Sequence, residues 1–455
     1  MRVAADVLER YEALETELGG LIPPVRWSAA QNLRLERIAD LLSRVGRPEM
    51  QFASIHVGGT SGKGSTATMT AAILTAAGYR TGLHLSPHLQ ILNERFQING
   101  RMVSTSLLER TYSALRPLIS DVADANPWGA PSYFEVQVAM AFTLFAEEGV
   151  DVAVVEVGLG GRLDATNVVP ARVAILTNVG LDHTEILGNT VDEIATDKVE
   201  IVKPGAMVIS GLRQISTQKI LESKCSDVGA TVLQLGTDFD YRLLDVGEGI
   251  RLTGEGFDCA PVVLGLGGAF QFANAACATA AATAMQHSIT CEAISGGLSS
   301  ARIPGRFEIV QSHPTVVLDG AHNADKMRSA VVSLVNRFPH RRIIAVLSLK
   351  SDKSLDDILP PLLTISAGLV CTEFRLSDLW EARSARDIAN AAQLLQPDLD
   401  IKVVRDPIDA VRTAMGEASG EDVVVVTGSL YLVGNVRDLW YPRAQILQAL
   451  EEEDE

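Results

Sequence analysis

The sequence predicts an α/β protein of two doubly wound units, the first larger and carrying a small antiparallel sheet, the second smaller and Rossmann-like. Three observations predict it. Apolar runs of strand length alternate with helical patterns over most of the 455 residues, as parallel sheets with helices on both faces require. Between Gly236 and Gly268 that alternation gives way to short segments turned by glycine, such as Gly254-Glu255-Gly256. Near Ile303-Pro304 a stretch of Gly, Ser and Pro closes, and a fresh strand and helix alternation begins.

In the first unit, 1–303, strands are expected at Phe52 to Val57, Arg80 to Leu85, Val150 to Val157, Arg172 to Thr177 and Met207 to Ser210. Helices are expected at Ser65 to Ala77, Tyr133 to Glu148, Val191 to Val202 and Ala273 to Gln286, with Gly78 and Gly149 at C-cap positions. The second unit, 304–455, has strand signals at Thr315 to Asp319, Ile343 to Leu347, Gly368 to Thr372, Ile401 to Val404 and Val423 to Thr427.

Composition narrows the function. Hydrophobic residues make up 47% and charged residues 21%, which excludes a disordered or fibrous chain. No apolar run approaches the roughly 20 residues that span a bilayer, and Asp6 and Glu9 interrupt the start where a secretory peptide needs apolar sequence. Five cysteines, Cys225, Cys259, Cys277, Cys291 and Cys371, lack Cys-x-x-Cys spacing, so neither a zinc site nor a redox pair is expected. These features lead to the expectation of a cytoplasmic protein. A net charge of -17 without basic clusters excludes a nucleic-acid backbone and demands that any anion site be locally positive.

One local run meets that demand. Val57-Gly58-Gly59-Thr60-Ser61-Gly62-Lys63-Gly64-Ser65 joins a strand to a helix, so backbone N–H groups, the helix N-terminus and the Lys63 ammonium can converge on phosphate oxygens. It is a variant P-loop, because Gly64 separates Lys63 from the Ser65 hydroxyl. The alternative is an ordinary glycine-rich turn of a doubly wound sheet.

Three further residues fall on the same sheet edge. Glu156 closes an apolar strand, where a buried carboxylate needs a cationic partner such as Mg²⁺ beside ATP, or else sits solvated at the edge. His183 follows the strand that ends at Thr177, and a lone histidine there is structural or functional. Lys198 lies among Asp192, Glu193, Asp197 and Glu200, which reads equally as a solvated helix face.

Ordered motifs carry a resemblance from about residue 27 to 440. They are Gly59 to Ser65, Ser86-Pro87-His88-Leu89 with Asn93-Glu94-Arg95, Ser132-Tyr133-Phe134-Glu135, Glu156-Val157-Gly158-Leu159-Gly160-Gly161-Arg162-Leu163-Asp164-Ala165-Thr166-Asn167, Gly180-Leu181-Asp182-His183-Thr184, Pro304-Gly305-Arg306-Phe307, Leu318-Asp319-Gly320-Ala321-His322-Asn323 and Thr427-Gly428-Ser429-Leu430-Tyr431. Together they resemble the folylpolyglutamate synthase and dihydrofolate synthase family, the folate branch of the Mur ligases.

The resemblance implies an ATP- and Mg²⁺-dependent ligase adding L-glutamate to folate or dihydropteroate through an acyl phosphate, acting as a monomer. It implies that Gly59, Thr60, Ser61, Gly62, Lys63, Gly64 and Ser65 wrap the phosphates, with Asn274, Arg306 and Asp319 completing the nucleotide site. One Mg²⁺ would be held by Ser86 and Glu156, and a second by His183 and a carbamate on Lys198. Lys63, His183, Lys198 and Arg306 would act in catalysis, while Ser132, Tyr133, Phe134, Glu135, Leu163, Asp164 and Ala165 would hold the pterin. This chain departs from the family pattern at Gly58, Ser61, Val199-Glu200 and Phe270. Two other readings remain: a Mur-type ligase of a UDP-sugar peptide, against which stands the lack of a separate N-terminal unit before Gly58, and a nucleotide-binding relative without catalysis.

Overall fold

The computed structural model describes residues 2–22, 33–125, 127–245, 249–286, 289–375 and 382–454. The first unit is an eight-stranded sheet in the order β4-β3-β2-β5-β1-β6-β7-β8. Its members are β1 (Ala53–Gly58), β2 (Thr81–His84), β3 (Phe96–Ile98), β4 (Arg101–Met102), β5 (Val152–Glu156), β6 (Val173–Leu176), β7 (Met207–Ser210) and β8 (Thr231–Gln234). The six strands from β2 to β8 are parallel, and β3 and β4 form an antiparallel edge.

Both faces of this sheet are covered, which is why its strands read as continuous apolar runs rather than alternating ones. Ile55 and Val57 of β1 pack toward the helices Lys63–Ala76, Gln271–Met285 and Cys291–Ser300. The opposite face carries Ala153 and Val155 of β5 against the helices Glu36–Val45, Thr105–Ala125 and Tyr133–Glu147. Small residues let these layers approach: a Cβ on Gly297 would lie 2.6 Å from Ile73 Cα.

The glycine-turned stretch is the expected antiparallel sheet, β9 (Phe239–Leu243), β10 (Ile250–Gly254) and β11 (Phe257–Val262). The second unit holds six strands, β12 (Glu308–Ser312), β13 (Thr315–Leu318), β14 (Ile343–Leu347), β15 (Ser366–Cys371), β16 (Ile401–Val403) and β17 (Val423–Thr427). Their order is β12-β13-β17-β14-β15-β16, parallel except for β12.

Several features depart from the sequence reading. The helix expected over 191–202 is α-helical only for Val191–Lys198 and tightens into a 3₁₀ turn at Val199–Ile201. Cys259 and Cys291 form a disulfide between β11 and the helix Cys291–Ser300, where the spacing of the cysteines suggested no redox pair; they stand 32 positions apart, so no motif betrays the contact. Helices Arg2–Gly19 and Arg443–Asp454 were not foreseen. The latter leaves the second sheet, and its Leu447 and Leu450 share a core with Tyr11, Leu14 and Leu115. Among the described residues no helix is long and apolar enough to cross a membrane.

Candidate active site

Register sets the site. Val57 lies beside Glu156 and Gly58 beside Leu176, so the carboxyl ends of β5, β1 and β6 finish level where the strand order reverses. From β1 the chain turns at Gly59 and Gly62, both at positive φ. A Cβ at Gly59 would lie 2.0 Å from Thr177 Oγ1, and one at Gly62 would lie 2.6 Å from Asn274 Oδ1, so only glycine fits either corner.

The loop is pinned to the segment after β6. Thr60 N–H donates to Asn178 O (2.9 Å) and Ser61 N–H to Asn178 Oδ1 (2.7 Å). Thr177 Oγ1 donates to Ser61 O at 2.7 Å. Those two N–H groups are therefore engaged, and the anion-facing donors are the first N–H groups of the helix Lys63–Ala76, with the Lys63 side chain beside them. Behind them Asn274 donates to Gln271 Oε1 (2.9 Å) and Gln271 to Ser65 Oγ (3.1 Å).

Glu156 is buried and takes the Ser86 N–H on Oε2 at 2.9 Å. Burial pushes its carboxyl up, while Lys63, the Ser86 bond, Arg306 and Arg95 pull it down. A Cβ on Gly64 would stand 3.5 Å from both carboxylate oxygens, so the glycine keeps the space before Glu156 clear. Among the described residues no three His, Cys, Asp or Glu converge as a metal cage. One carboxylate and the Ser86 hydroxyl beside a phosphate loop suit Mg²⁺, which takes its other oxygens from phosphates and water.

Lys198 is also buried, and burial together with Lys63 brings its ammonium down to about 7, against the pull of Asp197. Much of it is thus a free amine near neutral pH, the form that reacts with CO₂. His183 holds a left-handed φ of 51° and caps the short helix Thr184–Leu187. Its imidazole is shifted down by burial, opposed by Asp182 and Glu185.

The second unit closes the other side. Asp319, at the end of β13, accepts from Phe307 N (3.0 Å) and Ala321 N (2.9 Å), tying the linker that bears Arg306 to the sheet. His322 Nδ1 donates to Gly320 O at 2.8 Å, leaving Nε2 to accept from Lys326 Nζ at 3.0 Å. Burial and the neighbouring Arg306 bring Lys326 down to about 7. Asp182 of the first unit reaches across to Lys353 at 4.0 Å.

One cavity of 1120 Å³ is lined by residues 59–65, Ser86, Glu156, His183, Lys198, Asn274, Arg306 and Asp319. Every expected nucleotide and metal residue therefore comes to one cleft. The residues assigned to the pterin stand behind its wall: a Cβ on Gly158 would meet Phe134 Cζ at 2.5 Å and Asp164 Oδ2 at 3.0 Å. Ser132 caps the helix Tyr133–Glu147, and Glu135 forms a buried ion pair with Arg37 at 3.0 Å, so these two shape the wall. Leu163 is half-buried and Ala165 buried beside Asp164. Asp182, His322, Lys326 and Lys353 were missed as site residues; the Gly320-Ala321-His322-Asn323 turn pointed to His322, whereas no local signal marks Lys353.

Residues 57–282 match the Mur ligase middle domain and residues 305–430 the Mur ligase, glutamate ligase domain. The dihydrofolate synthase/folylpolyglutamate synthase of Bacillus subtilis is 33% identical over 411 residues, covering 89% of this chain and 94% of that protein. The solved Mycobacterium tuberculosis folylpolyglutamate synthase complexed with ADP and AMPPCP superposes with a TM-score of 0.86 at 32% identity, over 95% of this chain and 99% of that one. The bifunctional folylpolyglutamate synthase/dihydrofolate synthase of Yersinia pestis, complexed with AMPPNP and Mn ion, gives a TM-score of 0.82 at 28% identity, over 94% and 98%.

Proposed function

Since the chain belongs to the dihydrofolate synthase/folylpolyglutamate synthase family of Mur ligases, we propose that it uses ATP to join L-glutamate to dihydropteroate, to reduced folates, or to both. The observation that carries this reading is the one cleft lined by Lys63 and Glu156 of the first unit, by Arg306 of the linker, and by Asp319 and Lys326 of the second unit. In the first step an acceptor carboxylate oxygen bonds to the γ-phosphorus and the bond to ADP breaks. In the second the glutamate amine bonds to the acyl carbon, phosphate leaves, and the amine gives up a proton.

The residues supply position and charge. Lys63 and the N–H groups that follow it hold the phosphates, and Arg306 brings positive charge from the linker. Mg²⁺, held by Ser86 and Glu156 and, at a second position, by His183 with a Lys198 carbamate, would neutralise phosphate charge when bound. Enclosure between the two units keeps water from the acyl phosphate, and alignment of amine and acyl group supplies several kcal/mol of the barrier. Phe134 and Asp164 back the stretch of wall at Gly158, which is the side assigned to the acceptor. Lys326 and Lys353 are suited to the carboxylates of the incoming glutamate.

We take residues 1–303 as the ATP-binding domain and 304–455 as the ligase domain, and the active species as a cytoplasmic monomer. Phosphate release tests the reading: it should require ATP, acceptor and glutamate together. Release that ignores the pterin acid, or that responds equally to a UDP-sugar peptide, would refute it.

A further inference from the structure

The two units meet on one loop of the first. Residues 86–94 follow β2, and Ser86, Pro87, His88 and Leu89 line the cleft. The loop is tied through its amides. Ser86 N–H donates to Glu156 Oε2 at 2.9 Å. Leu89, Gln90 and Ile91 N–H all donate to the Glu94 carboxylate, at 2.6, 2.9 and 3.2 Å. Leu92 N–H donates to the Tyr11 hydroxyl at 2.9 Å.

The second unit grips the same loop from outside. A Cβ on Gly434 would lie 2.2 Å from Leu89 O, and one on Gly305 would lie 2.9 Å from Leu89 Cδ2, so Leu89 is seated against two glycines. Gln90 beside it is buried, and both ends of its amide are spent across the junction: Oε1 accepts from Arg437 Nη1, and Nε2 donates to Tyr441 O at 3.1 Å. Arg437 closes the helix Leu430–Arg437 and is itself held rigid. It donates to Glu308 of β12 through Nε at 2.9 Å and Nη2 at 2.8 Å, and its Cζ stands 4.1 Å from the Tyr441 ring centre. Burial pushes the Glu94 carboxyl up, while the three loop N–H groups and Arg437 pull it down.

A buried apolar side chain at position 90 would serve a loop that had only its own unit to satisfy; a glutamine there is useful because its partners lie in the other unit. We propose that Gln90 is a positioning residue of the nucleotide and metal corner: through Arg437 it lets the second unit hold the loop whose Ser86 N–H seats the Glu156 carboxylate. The inference rests on the assignment of Ser86 and Glu156 to Mg²⁺ given above. An ion that takes few oxygens from protein depends on where that one carboxylate sits.

Two measurements on Gln90→Met, which keeps the volume and loses both bonds, test this. Hydrogen exchange of the free protein should quicken about tenfold over 86–94, the size of one lost hydrogen bond to a charged group, while the helix Gln271–Met285 exchanges as in wild type. Calorimetry with ADP should give an affinity within about twofold of wild type without Mg²⁺, and a gain on adding Mg²⁺ that is smaller by about fivefold or more. Arg437→Met should quicken the loop to the same degree, and the double variant no further, since both break one contact. Gln90→Met leaves the Arg437–Glu308 pair in place, so it decides the matter if Arg437→Met does not fold.

Loop exchange equal to wild type would overturn the proposal. So would a faster loop with the wild-type Mg²⁺ gain retained, or a loss of ADP affinity that is the same with and without Mg²⁺. If ADP binding by the wild type ignores Mg²⁺, the metal assignment is refuted, and loop exchange alone decides whether Gln90 joins the units.

Discussion

Acid should unfold this protein partly through two histidines, and the amount follows from their surroundings. His56 and His84 are both wholly buried, and desolvation takes each ring from 6.5 down to about 3, with Lys203 and Arg95 adding to the effect. Each donates one ring nitrogen or shares it with a neutral partner, Thr166 for His56 and the Arg95 carbonyl for His84. The unfolded chain binds a proton on each ring below about pH 6.5, while the folded chain stays neutral down to about 3, so stability is present above the higher value and is lost as pH falls toward the lower. Between pH 7.5 and 5.0 the loss is about 2 kcal/mol per histidine, since each pH unit below the unfolded value costs about 1.4 kcal/mol. Urea unfolding at the two pH values measures it. His56→Gln removes one of the two titrating groups, so its stability should fall about 2 kcal/mol less than that of wild type over this interval. Parallel behaviour of the two proteins would refute the claim that a buried neutral His56 is linked to folding.

Other outcomes follow from the same contacts. Lys63→Ala should leave the fold intact and lower turnover at least about a hundredfold, measured as phosphate release, because a donor to the transferring phosphate is lost. Lys198→Ala should abolish ligation, and acetate should restore part of it by standing in for a carbamate; near wild-type turnover of the plain variant would remove that role. Breaking the buried Arg37–Glu135 pair with Glu135→Ala should cost about 3–5 kcal/mol in urea unfolding, because the Arg37 charge is left enclosed. Of five cysteines, three should react with a thiol reagent in denaturant without reductant and all five after reduction. Closing the intervening loop of 32 residues should raise stability by about 3–4 kcal/mol over the reduced form.

The parallel strands were legible because their physics is local. Val152–Glu156 and Val423–Thr427 are buried on both faces, so each shows as an unbroken apolar run. The loop before Lys63 was legible for a similar reason, since glycine is demanded by positive φ within a few residues. What escaped depends on distant contacts. The helix Arg443–Asp454 buries Leu447 beside Tyr11, Cys259 finds Cys291, and Lys353 approaches Asp182, with no periodicity to announce any of them. The end of the helix at Lys198 was obscured because the Val199–Ile201 turn is as apolar as a continuing helix would be. Resemblance brought Lys198 and Asp164 forward. Burial of the amine, and the bonds around the carboxylate, give those two positions a physical basis.

Mass spectrometry of the products bears most directly on the central claim. With ATP, Mg²⁺ and L-glutamate, the protein should convert dihydropteroate, a reduced folate, or both into a species heavier by one glutamyl residue, with one phosphate released per bond formed. Both acceptors recovered unchanged, or ATP hydrolysed with no amide formed, would contradict the account.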